Sequence, residues 1–195
     1  MKKIAIMVRH GESEANRKNI VTHELKGYPL TDLGRKQAST TGNILSSIAE
    51  KLDSIICSPL ERTLETGQII AIESGFKGEL RIDHELRETD MGKYNNTKAE
   101  NLPKYHYGLN GIESFINQSN RLKKAISGYD GINVFVTHML PIKALACSYM
   151  GIEEEDSGGI SIKNCSITII DLDEEKILSL GALDMSEKLR KFLLE

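Results

Sequence analysis

Short apolar runs alternating with stretches of helical period constrain this chain more than any other feature it has. Residues 3–8, 54–57, 79–82, 132–137, 166–172 and 176–181 read as strands, rich in Ile, Val and Leu and bounded by polar or turn residues. Between them apolar residues recur three and four apart. One such segment opens at Thr31 and Asp32 and turns Leu33, Ala38, Ile44, Leu45 and Ile48 to a common side. A second starts near Leu60, just after Pro59, runs to Glu73 and is stopped by Gly75 and Gly78; others span 112–127 and 139–150. This alternation predicts βα units on a mainly parallel sheet, an α/β fold. Asp173 and Glu174 between the last two strands predict a hairpin-like turn, which makes at least one edge antiparallel.

Residues 89–111 interrupt the rhythm, being polar, rich in Asn and Tyr and punctuated by Gly92, Pro103, Gly108 and Gly111. They predict a small lid, at about 89–125, on a single domain covering residues 1–195. The amphipathic tail at 185–194 predicts a helix docked on that domain, and 153–159 an acidic solvated loop. A net charge of -3 excludes the basic stripe of a nucleic-acid binder; the cluster Arg121, Lys123 and Lys124 reads as a solvated helix face. No apolar stretch reaches the length of a membrane span, and the first one is too short for a signal peptide. Cys57, Cys147 and Cys165 lack metal-ligand spacing and read as reduced thiols. The expectation is a cytoplasmic protein, monomeric or a small homo-oligomer, with neither nucleic acid nor membrane as partner.

The chemistry sits where strands end. Arg9-His10-Gly11-Glu12 follows the first strand, Ser58 and then Arg62 follow the second, and His138 closes the run Val134-Phe135-Val136-Thr137. Parallel strands bring these groups to one edge of the sheet, where open α/β sheets bind ligands. Two guanidiniums and one or two imidazoles with no acidic cage make a pocket for a dianionic phosphate, not for a metal. The helix beginning near Leu60 adds backbone N–H groups to the same anion. An ordinary imidazole is largely uncharged at neutral pH and can attack phosphorus, and His10 is the candidate nucleophile. Its other ring nitrogen needs a fixed acceptor, for which the Gly11 carbonyl is placed. Arg9, Arg62 and a protonated His138 would meet charge developing on the phosphoryl oxygens. Glu88 follows a short strand toward the same edge and is the candidate general acid and later base, provided that burial raises its pKa. Glu12 reads as a charge partner for the arginines, Ser58 as a phosphate contact or turn residue, and His23, His84 and His106 as surface or locally bonded side chains.

Arg9-His10-Gly11-Glu12-Ser13 with Asn16, then Tyr28-Pro29-Leu30-Thr31-Asp32-Leu33-Gly34-Arg35, resemble the opening of the histidine phosphatase superfamily, phosphoglycerate mutase-like branch. Ser58-Pro59-Leu60-Glu61-Arg62-Thr63, Leu86-Arg87-Glu88 with Gly92, Val136-Thr137-His138 and Asn164-Cys165-Ser166 resemble its later blocks, in unbroken order from about residue 3 to residue 170. The resemblance implies a three-layer α/β/α sandwich and a phosphohistidine intermediate, with no metal required. By position it makes His10 the nucleophile, lets Arg9, Arg62 and His138 bind and stabilise the phosphoryl group, puts Asn16 against it and has Glu88 shuttle the proton. Thr22 falls where the family often has a hydroxyl near the phosphate.

Three departures stand out. Met139 occupies a position that is usually Gly, and Tyr94-Asn95-Asn96 one where many such phosphatases show Trp-Glu-Gly. The lid offers Lys93, Lys98 and Lys104 where full-length mutases carry paired arginines for a carboxylate. The last of these tilts the expectation toward a phosphatase of small phosphorylated metabolites that needs no cofactor. The alternatives are a phosphoglycerate mutase primed by 2,3-bisphosphoglycerate and a non-catalytic sensor of phosphorylated ligands.

Overall fold

The computed structural model describes residues 2–103 and 108–195; Lys104 and His106 lie outside the described residues. In chain order the elements are β1 (Ile4–Arg9), α1 (Glu14–Arg17), β2 (Ile20–Val21), α2 (Asp32–Leu45), β3 (Leu52–Cys57), α3 (Glu61–Ser74), β4 (Leu80–Ile82) and β5 (Thr97–Lys98). There follow α4 (Phe115–Ser127), β6 (Ile132–Thr137), α5 (Met139–Met150), β7 (Ile167–Asp171), β8 (Lys176–Ala182) and α6 (Glu187–Leu194).

Six strands form one sheet in the order β4-β3-β6-β1-β7-β8. The pairs β4/β3, β3/β6 and β6/β1 are parallel, whereas β7 runs antiparallel to both β1 and β8. Side chains along a strand point alternately to opposite faces, and β1 shows what that does here. Ile4, Ile6 and Val8 join Leu45, Ile48, Ile70 and Leu193 in one core, under α2, α3 and α6. Ala5 and Met7 join Leu122, Ala125, Ile142 and Leu145 in the other, under α4 and α5. Central strands buried on both faces therefore read as continuous apolar runs, and the molecule has the three layers expected.

Local chemistry sets the boundaries. The Thr31 hydroxyl accepts from Gly34 N and caps α2, and α3 ends where Gly75 takes a left-handed φ of +73°. Gly34 has a second task, because a Cβ there would stand 2.0 Å from the Glu12 carbonyl oxygen. The start of α2 thus lies against the loop that carries His10, and only glycine permits it. The turn after β7 is wider than Asp173 and Glu174 alone: Asp171 Oδ1 accepts from both their N–H groups, and Glu175 closes it at φ +49°.

Several expectations need correction. Of the span 89–125 read as a lid, α4 belongs to the body, since Leu122, Ala125 and Ile126 are core; it starts at Phe115, capped by Ser114, not at 112. Arg121 is 8% exposed and not on a solvated face. Its guanidinium donates to both carboxylate oxygens of Glu113, at 2.7 and 3.0 Å, and to the Glu85 carbonyl at 2.6 Å. The short α1 and the two-stranded ribbon β2/β5 have no counterpart in the sequence reading. The tail does dock, with Leu193 buried and Lys2 Nζ donating to the Phe192 carbonyl. The three cysteines are free and buried. Among the described residues, no helix is long and apolar enough to cross a membrane.

Candidate active site

Parallel alignment of β1, β3 and β6 brings His10, Ser58 and His138 to the same edge of the sheet, each directly after its strand. His10 is 2% exposed. Its Nδ1 lies 2.7 Å from the Gly11 carbonyl, which can only accept, so Nδ1 carries the proton and Nε2 the lone pair. Arg62 Nε donates to that lone pair at 3.2 Å, and Arg62 Nη2 donates to the Thr22 carbonyl at 2.9 Å. Burial first, then repulsion by Arg62 and Arg9, holds the His10 pKa well below the usual imidazole range despite the bond to Gly11. The side chain is a neutral base at physiological pH.

His138 stands beside it, ring centroids 5.1 Å apart and planes inclined at 63°. Its Nε2 is 2.9 Å from the Ser58 hydroxyl, while Nδ1 is buried without a hydrogen-bond partner, 3.6 Å from Glu88 Oε2. Burial first, then the nearby guanidiniums of Arg62, Arg121 and Arg9, hold its pKa well below the ordinary value as well. The expected protonated His138 is therefore not the resting form, because a positive neighbourhood out of water opposes a further charge. Ser58, read as a phosphate contact or turn residue, is fully buried and orients this ring.

Arg9 donates through Nη1 to the Ile162 carbonyl at 2.7 Å, and its buried Nε has no partner. Desolvation lowers both guanidinium pKa values, Arg62 to about 10, so both remain charged near neutrality. Glu88 is the acid among these cations. Burial raises its pKa, opposed by Arg62, by the Thr89 N–H that its Oε1 accepts, by Arg9 and by Arg121. Four bonds hold the segment on either side of it: Arg121 to the Glu85 carbonyl, Thr137 Oγ1 to the Leu86 carbonyl, Thr89 Oγ1 to Gln118 Oε1, and Glu113 N to the Asp90 carbonyl. Arg121 and Gln118 were not recognised as contributors from sequence; their only signal was a polar spacing on α4 that also fits a solvated face.

Asn16 and Thr22 line the same cavity of about 90 Å³ as Arg9, His10, Arg62 and Glu88. Asn16 accepts from Asn164 Nδ2 at 3.3 Å and completes a capping box with Ser13. The Thr22 hydroxyl accepts from Glu24 N. Two expectations fail. Glu12 partners neither arginine, its Oε1 taking the Thr31 hydroxyl at 2.7 Å because α2 packs over it. The Glu61 N–H at the start of α3 is not offered to an anion, since it donates to the Leu25 carbonyl at 2.8 Å. Met139 forms part of the cavity wall. Neither Lys93 nor Lys98 reaches the cavity: one lies over the Tyr94 ring, the other donates to the Lys18 carbonyl. Among the described residues no group of three or more His, Cys, Asp or Glu is placed to hold a metal ion.

The sequence profile of the histidine phosphatase superfamily, branch 1, matches residues 5–182. The chain belongs to that superfamily. It is accordingly an enzyme of the histidine phosphomonoesterase or phosphoglycerate mutase type, working by phosphoryl transfer. Over 200 residues, covering 98% of each chain, this superfamily member is 36% identical to a 2,3-bisphosphoglycerate-dependent phosphoglycerate mutase from Thermoplasma acidophilum. Its fold is similar to that of a putative α-ribazole-5′-P phosphatase from Escherichia coli, with TM-score 0.78, 20% identity, and 95% of this chain and 99% of the other covered. A phosphoserine phosphatase from Entamoeba histolytica gives TM-score 0.75 at 22% identity, covering 95% and 98%.

Proposed function

We propose that the protein is a phosphatase of small phosphorylated metabolites that works through phospho-His10. The observation that carries the nucleophile is a neutral His10 whose proton is committed to Gly11 and whose Nε2 accepts from Arg62, with the Arg9 charge also acting on the ring. An incoming phosphoryl group competes for the Arg62 guanidinium, which frees Nε2. Nε2 then forms a bond to phosphorus, in line with the ester oxygen, as the P–O bond breaks. Glu88 gives its proton to the departing alkoxide; burial raises its pKa and so favours the acid form that this step needs. A water molecule attacks the phosphohistidine in the second half, Glu88 takes its proton, and the N–P bond breaks to return neutral His10 and inorganic phosphate. Arg9 and Arg62 neutralise the phosphoryl oxygens, Asn16 and Thr22 line the pocket around them, and His138 becomes protonated once a dianion offsets the arginines. No step calls for a metal or cofactor.

Phosphatase is favoured over mutase by what surrounds the phosphoryl position. Among the described residues, the cavity wall holds no cation apart from Arg9 and Arg62, and half of it is apolar, with Ala15, Ile20, Val21, Met91, Met139 and Leu140. A mutase must grip a second anionic group of a small hydroxyacid and keep water from the intermediate. The mutase reading rests on the Thermoplasma acidophilum relative; there, 2,3-bisphosphoglycerate would be the primer. A phosphate-release assay over a panel of phosphomonoesters, run beside 3-phosphoglycerate with a trace of 2,3-bisphosphoglycerate, separates them. Release lost in His10→Ala supports the phosphatase, and rapid 2-phosphoglycerate formation with little free phosphate rejects it.

A further inference from the structure

The cavity at His10 is small, about 90 Å³, against about 300–1,000 Å³ for sites that take up a whole small molecule. The rest of a substrate must extend beyond it. A second cavity of about 640 Å³ shares Arg9 and Met139 in its wall with the first. Its size falls within the about 300–1,000 Å³ of small-molecule sites.

The lining has a definite chemistry. Met139, Ile160, Ile162 and Leu183 supply apolar surface, Arg9 and Lys163 are its charged residues, and no carboxylate faces it among the described residues. Lys163 forms no ion pair among the described residues. Arg9, common to both linings, has a buried Nε without a hydrogen-bond partner. One wall is also tied to the nucleophile: Asn164 Nδ2 donates to the His10 carbonyl at 2.9 Å, and Cys165 N donates to the Arg9 carbonyl at 2.9 Å.

From these observations we infer that the larger cavity receives the leaving group, and that preferred substrates are phosphomonoesters whose alcohol or phenol has an apolar body ending in a remote anion. The body lies on Met139 and the isoleucines, and the anion meets Lys163. This rests on the phosphatase reading and goes further, naming the substrate class.

N-acetyl-O-phosphotyrosine and phenyl phosphate share a phenolic leaving group, but only the first has an apolar body with a remote carboxylate. In Lys163→Met the ratio of kcat/KM for the first to that for the second falls about tenfold, mainly through KM; in Ser161→Trp, which fills the cavity rim, it falls further. The same ratios are read as affinities on His10→Ala protein, by calorimetric titration of both esters with and without the two changes. That arm needs no turnover, so it tests the subsite even if the phosphatase reading fails. Kinetic and affinity ratios that stay within twofold of the parent in both variants overturn the inference; an affinity ratio that falls without any hydrolysis by the parent protein sustains the subsite and removes the phosphatase.

Discussion

The strand-end site and the segment that arches over it are built by opposite means. At the strand ends the functional side chains are held by buried partners, mostly backbone: His10 by the Gly11 carbonyl, Arg9 by Ile162, Arg62 by Thr22, and His138 by the Ser58 hydroxyl. Over the site, residues 92–101 are attached largely by exposed side chains, with Glu24 Oε1 accepting from Asn95 and Asn96 and the Tyr28 hydroxyl donating to Asn96. The two-residue pairing of β2 with β5 adds a short ladder. Buried backbone partners define one geometry, whereas exposed polar ties can be exchanged for water at small cost. The difference teaches that chemistry and access are separable here. Changes at the strand ends should act on the reaction, and changes in the arch on substrate entry.

The strongest way to break that contrast is His10→Ala, for which kcat should fall by about 10⁵-fold or more, as when a covalent nucleophile is removed elsewhere. Loss of a phosphoryl mass adduct after an alkaline quench checks it directly. Glu88→Gln should lower kcat by about 10²- to 10⁴-fold on alkyl phosphates, with less effect on esters of acidic phenols that need no protonation. Because the acid form is required, the parent rate falls as pH rises through the elevated Glu88 pKa, and the variant loses that limb. An unchanged profile removes Glu88 from the role.

Stability sharpens the comparison, because both buried imidazoles hold folded-state pKa values well below 6.5. The unfolded chain takes up their protons first. Stability is therefore full above about 6.5 and is lost as pH falls toward the folded values, by up to about 1.4 kcal/mol per pH unit for each imidazole. Chemical denaturation at several pH values should show this slope, and His138→Gln should roughly halve it. The smallest effect belongs to the arch. Glu24→Ala deletes two exposed hydrogen bonds, so KM should rise about two- to fivefold with kcat little changed; a kcat loss comparable with that of Glu88→Gln would erase the distinction between the two regions.

What the sequence made legible follows the same division. Arg9, His10, Arg62 and His138 were readable because each sits just past a strand signal, and a parallel sheet gathers such positions without any knowledge of packing. The tautomer of His10 was readable too, since its acceptor is the next residue. The charge state of His138 was not, because it depends on burial and on guanidiniums from other elements. Arg121 looked like any cation on a helix; only the approach of Glu113 and Glu85, 8 and 36 residues away, buries it. Glu12 was misassigned because α2 turns Thr31 toward it. The ribbon β2/β5 is too short to leave a periodicity, and its pairing joins segments far apart in the chain.

The hydrogen bond from Arg62 to His10 Nε2 carries one more consequence. A guanidinium sheathes the very electron pair that makes this imidazole reactive, so stray electrophiles without negative charge meet a blunted target. Reagents that carbethoxylate or alkylate histidine should modify position 10 slowly, and oxyanions that lure the guanidinium aside without filling the pocket should hasten them. Reactivity is thus released by the substrate's own charge, a form of selectivity exercised before any bond to phosphorus begins to form.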